Sequence, residues 1–145
     1  MVLSKKKYAL LGYLLASKMP SIASSLLTMH EERENDFSKI PGLYHLFCAI
    51  KNIDPLLYSG PLHKSEKVEV RKEFVAVILH MYDPQVYEQP IECLDIRPGL
   101  VRHLSDVTTQ DKSRVSRMIR EVVTMVKVYD DFNERVEELL TKMKN

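Results

Sequence analysis

The sequence is poor in glycine, poor in cysteine and almost without net charge, and each shortage removes a class of function. Four glycines in 145 residues leave little for the loops that cradle phosphates or present a nucleophile, and GxGxxG, GxxxxGK[ST] and GxSxG are all missing. The two cysteines, Cys48 and Cys93, stand far apart. They form neither a disulfide framework nor a CxxC zinc site and are expected as small apolar core residues in a reducing compartment. The run His-Glu-Glu-Arg-Glu at 30–34 approaches a zinc-protease helix, but Glu34 stands where the second histidine ligand is needed. His45, His63, His80 and His103 are scattered, and His80, beside Phe74, Ile78 and Met81, is expected as a hydrogen-bonded structural histidine. Catalytic residues, metal and cofactor are therefore expected to be absent, and the protein is expected not to be an enzyme.

Charge of one sign is also lacking. With 21 basic and 20 acidic residues the formal net charge is +1. A general nucleic-acid coat would be more basic, so any DNA-facing surface has to be local. Long apolar runs are missing too: the one near the N-terminus covers about ten residues, where a bilayer span takes about 20. Its basic start and the small residues Ser21 and Ala23 outline a secretory signal, but Lys18 interrupts the pattern. The run is expected as a buried first helix, with Leu11 and Leu15 inside. No membrane partner and a cytoplasmic location are the corresponding expectations.

What is present is globular: 45% hydrophobic and 28% charged residues, in a chain long enough for a core of its own. Helical periodicity dominates. Residues 4–18 lack a breaker except Gly12, and Pro20 opens a second segment with Ile22, Leu26 and Met29 in phase. A polar loop (33–39) leads to a helix over 41–54, with Leu43, Leu46, Phe47 and Ile50 on one side. After a Pro- and Gly-containing linker, Ser65 is placed to cap a helix over about 66–82 carrying Val70, Phe74, Val77, Ile78 and Met81. Asp83-Pro84 ends it. Pro-Gly precedes an apolar-periodic helix at both 41–42 and 98–99, which suggests one helix-start chemistry used twice. Beyond Gly99 there is no glycine or proline, so 99–145 is expected to be nearly continuous helix, interrupted around 107–111. The fold expected is an all-α bundle of about six helices with a C-terminal helix-turn-helix unit and a long terminal helix. Its parts are an N-terminal helical subdomain (1–60) and a unit over 64–145, which can also form one compact domain.

The segment Leu100–Val123 carries the functional signal. Leu100, Leu104 and Val107 make a short apolar face, Thr108-Thr109-Gln110 breaks it, and Asp111 stands at the positive end of a second helix. That helix has the apolar stripe Val115, Met118, Ile119 and Val122. With Val115 inward, steps of about 100° per residue put Ser113, Arg117 and Arg120 on the opposite face and Arg114 and Ser116 on the flanks. Arginine can fork onto guanine edges, and serine or lysine can take phosphate. Residues 97–129 hold seven Lys/Arg and three Asp/Glu, whereas 130–145 hold five acids and three bases. The segregation suits a local DNA-facing surface. An ordinary solvated helix face, or a basic face for an acidic protein, would use the same residues.

The stretch "LSDVTTQDKSRVSR" resembles the helix-turn-helix core of bacterial and phage regulators, in which a Leu-small-x-x-Thr-Gly run leads into a Lys-Ser-Thr-Val-Ser-Arg helix. Leu104 and Ser105 match the apolar anchor and small residue, and Val115, Ser116 and Arg117 match the Val-Ser-Arg of the recognition helix. Thr109 replaces the frequent turn glycine, and Gln110 a commonly apolar position. The resemblance covers residues 100–123 only. It implies that double-stranded DNA is the partner and that Lys112, Ser113, Arg114, Ser116, Arg117 and Arg120 contact it.

A 3-4 repeat continues past this motif: Val115, Met118, Val122, Met125, Tyr129, Phe132, Val136, Leu139, Met143. It fits either a long core helix or a self-pairing coiled coil whose seam uses Met125, Tyr129, Phe132, Val136, Leu139 and Met143. The reading that follows is a small DNA-binding helix-turn-helix regulator, bacterial or phage-like, that forms a homo-oligomer. The alternative is a structural protein of a phage assembly, of packaging or connector type and located in the virion, whose helices hold copies or other assembly proteins together.

Overall fold

A computed structural model describes residues 5–19, 33–62 and 64–144. The chain is all-α. Six α-helices are found among the described residues: α1 (Lys5–Lys18), α2 (Ile40–Lys51), α3 (Ser65–Tyr82), α4 (Leu100–Thr108), α5 (Lys112–Val128) and α6 (Asp130–Lys144). Short 3-10 turns at Phe37–Lys39, Pro55–Tyr58, Pro84–Glu88 and Ile91–Cys93 fill the connections. The segment expected as a helix beginning at Pro20, together with His30 and His63, lies outside the described residues.

Helix α3 is the axis of the bundle. Every residue from Phe74 to Leu79 is buried, which a helix can satisfy only when it is surrounded. It packs against α5 and α6, while α2 packs against α4 and α6. One apolar core therefore includes Ile40 and Phe47 of α2, Leu104 of α4, Ile119 of α5 and Phe132 of α6. Helix α2 and the 64–145 part share that core.

Several local expectations are corrected. Helix α2 begins one residue earlier than expected and buries Tyr44, Phe47 and Cys48, leaving Leu46 exposed. Ser65 is the first residue of α3 rather than its cap; Lys64 holds the cap position without a side-chain hydrogen bond. The two Pro-Gly pairs do different things. Gly42 lies inside the first turn of α2, with nothing near its missing Cβ. Gly99 is the N-cap of α4 at φ +87°, and a Cβ there would come within 3.1 Å of the Phe37 ring. Cys48 is buried but Cys93 is exposed. Leu11 of α1 is 45% exposed rather than internal, and Leu10, Tyr13 and Leu14 are also exposed. The Leu15 side chain lies outside the described residues.

The terminal helical stretch has the interruption expected around 107–111 and a second one that was not expected. Residues 109–111 interrupt it, and Tyr129 interrupts it again, with extended φ and ψ of −106° and 104°. Asp130, a poor helix interior residue, then becomes the first residue of α6, in the turn where a helix dipole favours an acid. The break folds α6 back onto α5 and α3. Phe132, Val136, Leu139 and Met143 are consequently buried in the core of the single chain, and Met125 packs partly against it. Tyr129 is left exposed at the corner. The 3-4 repeat is thus a core-packing signal in two separate helices, and those four side chains are not available as a seam between copies.

Candidate nucleic-acid interface

Helices α4 and α5 are joined by Thr109, Gln110 and Asp111, and local bonds hold this turn closely. Thr108 is buried and donates its hydroxyl to the Leu104 carbonyl over 2.7 Å. Thr109 takes the left-handed conformation at φ +52°, which lets the Gln110 amide reach the Ser105 carbonyl at 3.2 Å. The Ser105 hydroxyl donates to the Gln110 carbonyl. Asp111 then caps α5, accepting the Arg114 amide at 2.8 Å, as the sequence suggested.

The linker before α3 supports the turn from outside. The Gly60 amide donates to the Thr108 carbonyl over 2.9 Å. Gly60 is itself left-handed, at φ +75°. Its carbonyl and that of Tyr58 accept from Nη2 of Arg71, at 2.6 and 2.5 Å. A buried arginine on the central helix therefore fixes the loop that braces the α4–α5 turn.

The other end of α4 is fixed by Arg97. Its Nη1 donates to the carbonyls of Glu34 (2.6 Å) and Tyr82 (2.9 Å), its Nη2 donates to Asn35 Oδ1 (2.8 Å), and its guanidinium lies 4.8 Å from the Phe37 ring centre. Its backbone amide donates to Asp83 Oδ2 over 2.8 Å. Asp83 is buried, and that burial raises its carboxyl pKa against the lowering effect of the Arg97 amide. This role of Arg97 was not read from the sequence, because two of its side-chain partners are backbone carbonyls, which leave no spacing signal.

Helix α5 presents the residues named from its sequence as follows. Val115, Ile119, Val122 and Val123 are buried. Lys112, Ser113, Arg114, Arg117 and Arg120 are exposed, and Ser116 is half-buried on the flank. Arg114 lies 3.6 Å from Asp111, with both side chains more than half exposed, so the pair is weak and leaves the guanidinium accessible. Arg114 and Arg117 reach one rim of a groove of about 400 Å³ between α5, α3 and the 61–62 loop. His80, expected to be hydrogen-bonded, is instead stacked on Tyr87 with ring centres 4.4 Å apart, and its buried Nε2 has no hydrogen-bond partner among the described residues.

Among the described residues, no group of His, Cys, Asp and Glu could hold a metal ion, and no helix is long and apolar enough to cross a membrane. Comparison of the chain with protein-family models, curated proteins and solved structures finds no significant match.

Proposed function

We propose that the protein binds double-stranded DNA, docking α5 in the major groove with α4 as the supporting helix of a helix-turn-helix unit. One observation carries the reading. The face of α5 opposite its buried valines presents Ser113, Arg117 and Arg120 to solvent, with Lys112 exposed in the first turn, on a helix joined to α4 by a three-residue turn. Helices that read base edges need an exposed polar face on a rigidly held scaffold. Thr109, at the position where similar motifs often carry glycine, has the backbone conformation glycine would favour.

The test is a titration of duplex DNA at low and moderate salt with the wild type and with Arg117→Ala/Arg120→Ala, after melting curves confirm an intact fold. A base-reading arginine costs about 1–3 kcal/mol when removed and relaxes preference at one base pair, while a phosphate contact lowers the salt slope by about 1. Equal binding by the double variant, or no wild-type binding at about 50 mM salt where phosphate contacts are strong, would falsify the reading.

A second reading, an assembly protein, is favoured by α1, whose Leu10, Leu11, Tyr13 and Leu14 are exposed. Clustered exposed apolar side chains are a feature of contact surfaces. Light scattering on Leu10→Glu/Leu14→Glu separates the two: a fall in mass with unchanged melting supports assembly through α1.

A further inference from the structure

The groove beside α5 is lined by a buried arginine with which no carboxylate pairs among the described residues. Arg71 is 5% exposed. Nη2 serves two backbone carbonyls, but Nε is buried with no hydrogen-bond partner among the described residues. No acidic side chain pairs with it among the described residues, and Arg71 is one of the residues that line the groove. An ionised group taken out of water needs a partner of opposite charge to recover its hydration. Two neutral carbonyls supply only part of that.

The rest of the groove is cationic. Lys72, Arg114 and Arg117 line it with Arg71, against a single acid, Glu121. Glu121 is held by Lys72 at 2.9 Å and is half exposed. Gln110, from the α4–α5 turn, adds a neutral polar group. Burial lowers the Arg71 pKa, the direction expected for a cation lacking its counter-charge. The opening, about 400 Å³, has room for a phosphate and part of whatever carries it.

We propose that the groove between α3 and α5 is a phosphate-binding site, with Arg71 at its base and Lys72 and Arg117 at its walls. Arginine donors in a fork match phosphate oxygens, and lysine adds a mobile point charge. The site shares Arg117 with the DNA reading but does not depend on it. A duplex lying on α5 could place a backbone phosphate there, and a small phosphorylated molecule could supply the same chemistry.

The experiment is calorimetric titration of the full chain with inorganic pyrophosphate at constant ionic strength, using wild type, Lys72→Met and Glu121→Gln. One-to-one saturable binding is expected. It should weaken about tenfold in Lys72→Met, equivalent to about 1.4 kcal/mol, and tighten in Glu121→Gln. Both substitutions leave Arg71 and its loop contacts in place. No saturable heat in the wild type, or equal affinity in all three proteins, would overturn the site and leave Arg71 a structural tie alone.

A labelled duplex measured in parallel distinguishes the sources. Displacement of the duplex by pyrophosphate assigns the site to the DNA backbone. Pyrophosphate binding with no duplex binding, or without competition, assigns it to a small phosphorylated ligand. In the first of those cases the DNA reading fails while the site stands. Duplex binding with no saturable heat from pyrophosphate removes the site and keeps the DNA reading.

Discussion

Gly60 donates its amide to the carbonyl of Thr108 over 2.9 Å, and both Gly60 and the next turn residue, Thr109, have positive φ. The two positions should respond to substitution with opposite signs. Gly60→Ala meets no steric obstacle, since a Cβ would find Thr109 Oγ1 at an ordinary 3.6 Å. It does incur the left-handed backbone penalty of about 1–2 kcal/mol. Thr109→Gly relieves the same penalty on a β-branched residue, and after the added freedom of the unfolded chain the net gain is about 0.5–1 kcal/mol. Urea unfolding of the two variants checks the pair. A loss of stability in both would show that the turn depends on the Thr109 hydroxyl more than on backbone conformation.

Glu73 joins three helices. It is buried on α3, with Lys51 of α2 at 2.8 Å and Arg135 of α6 at 3.2 Å. Glu73→Ala leaves two cations without their shared acid. The full cost of breaking a buried pair is about 3–5 kcal/mol, but Lys51 and Arg135 keep 26% and 39% of their side-chain surface exposed and can be rehydrated. The expected loss is about 1–3 kcal/mol. Glu69→Ala, which removes a half-exposed partner of Arg135, should cost less than about 1 kcal/mol. Equal losses in denaturant unfolding would contradict the role given to Glu73.

His80 should give the fold an acid-side weakness. Its pKa is lowered first by burial, with Glu137 opposing that and Lys144 adding to it. A histidine that stays neutral in the fold takes up its proton in the unfolded chain first. Its contribution to stability is therefore complete above the unfolded value near 6.5 and is lost as pH falls from there toward the lower folded value. One group can change stability by at most about 1.4 kcal/mol per pH unit. His80→Phe keeps a ring against Tyr87 and removes the proton site, so the melting temperature should become flatter as pH falls below about 6.5. An unchanged profile would mean that another group titrates there.

The helical character of the chain was legible because long stretches repeat at helical spacing, and the Asp111 cap was legible because capping is a local act. Face assignment was less secure. In α2 the pattern Leu43, Leu46, Phe47, Ile50 suggested an inward Leu46, but the core selected Tyr44 and Cys48, since packing against α4 and α6 decides which stripe is covered. The break at Tyr129 did not show in the repeat, although Asp130, Asp131 and Asn133 just beyond it are poor helix formers. A heptad continues in phase across such a corner, so periodicity alone does not show that two helices share it. Arg71 and Arg97 were not legible at all. Their partners are carbonyls distant in sequence, and no spacing rule marks an arginine that will be buried. The exposed basic face of α5 could be laid out on a helical wheel, whereas the groove beside it depends on α3 and a loop that the sequence could not place.

The corner at Tyr129 yields the prediction that separates core from seam. Phe132 is buried just beyond it, while Tyr129 is 54% exposed at the bend. If the terminal repeat packs the single chain, Phe132→Ala should cost about 3–5 kcal/mol, the usual range for a large aromatic removed from a core. That loss should not depend on protein concentration, because no association is being broken. Tyr129→Ser should change stability by less than about 0.5 kcal/mol. Unfolding curves at two protein concentrations about 50-fold apart, with light scattering on each sample, make the distinction, since a dissociating oligomer would shift its midpoint with concentration. A midpoint that moves in the wild type and stops moving in Phe132→Ala would return the terminal helix to an interface between copies. The burial of Phe132, Val136, Leu139 and Met143 inside one chain leads us to expect a fixed midpoint and a large, concentration-independent loss.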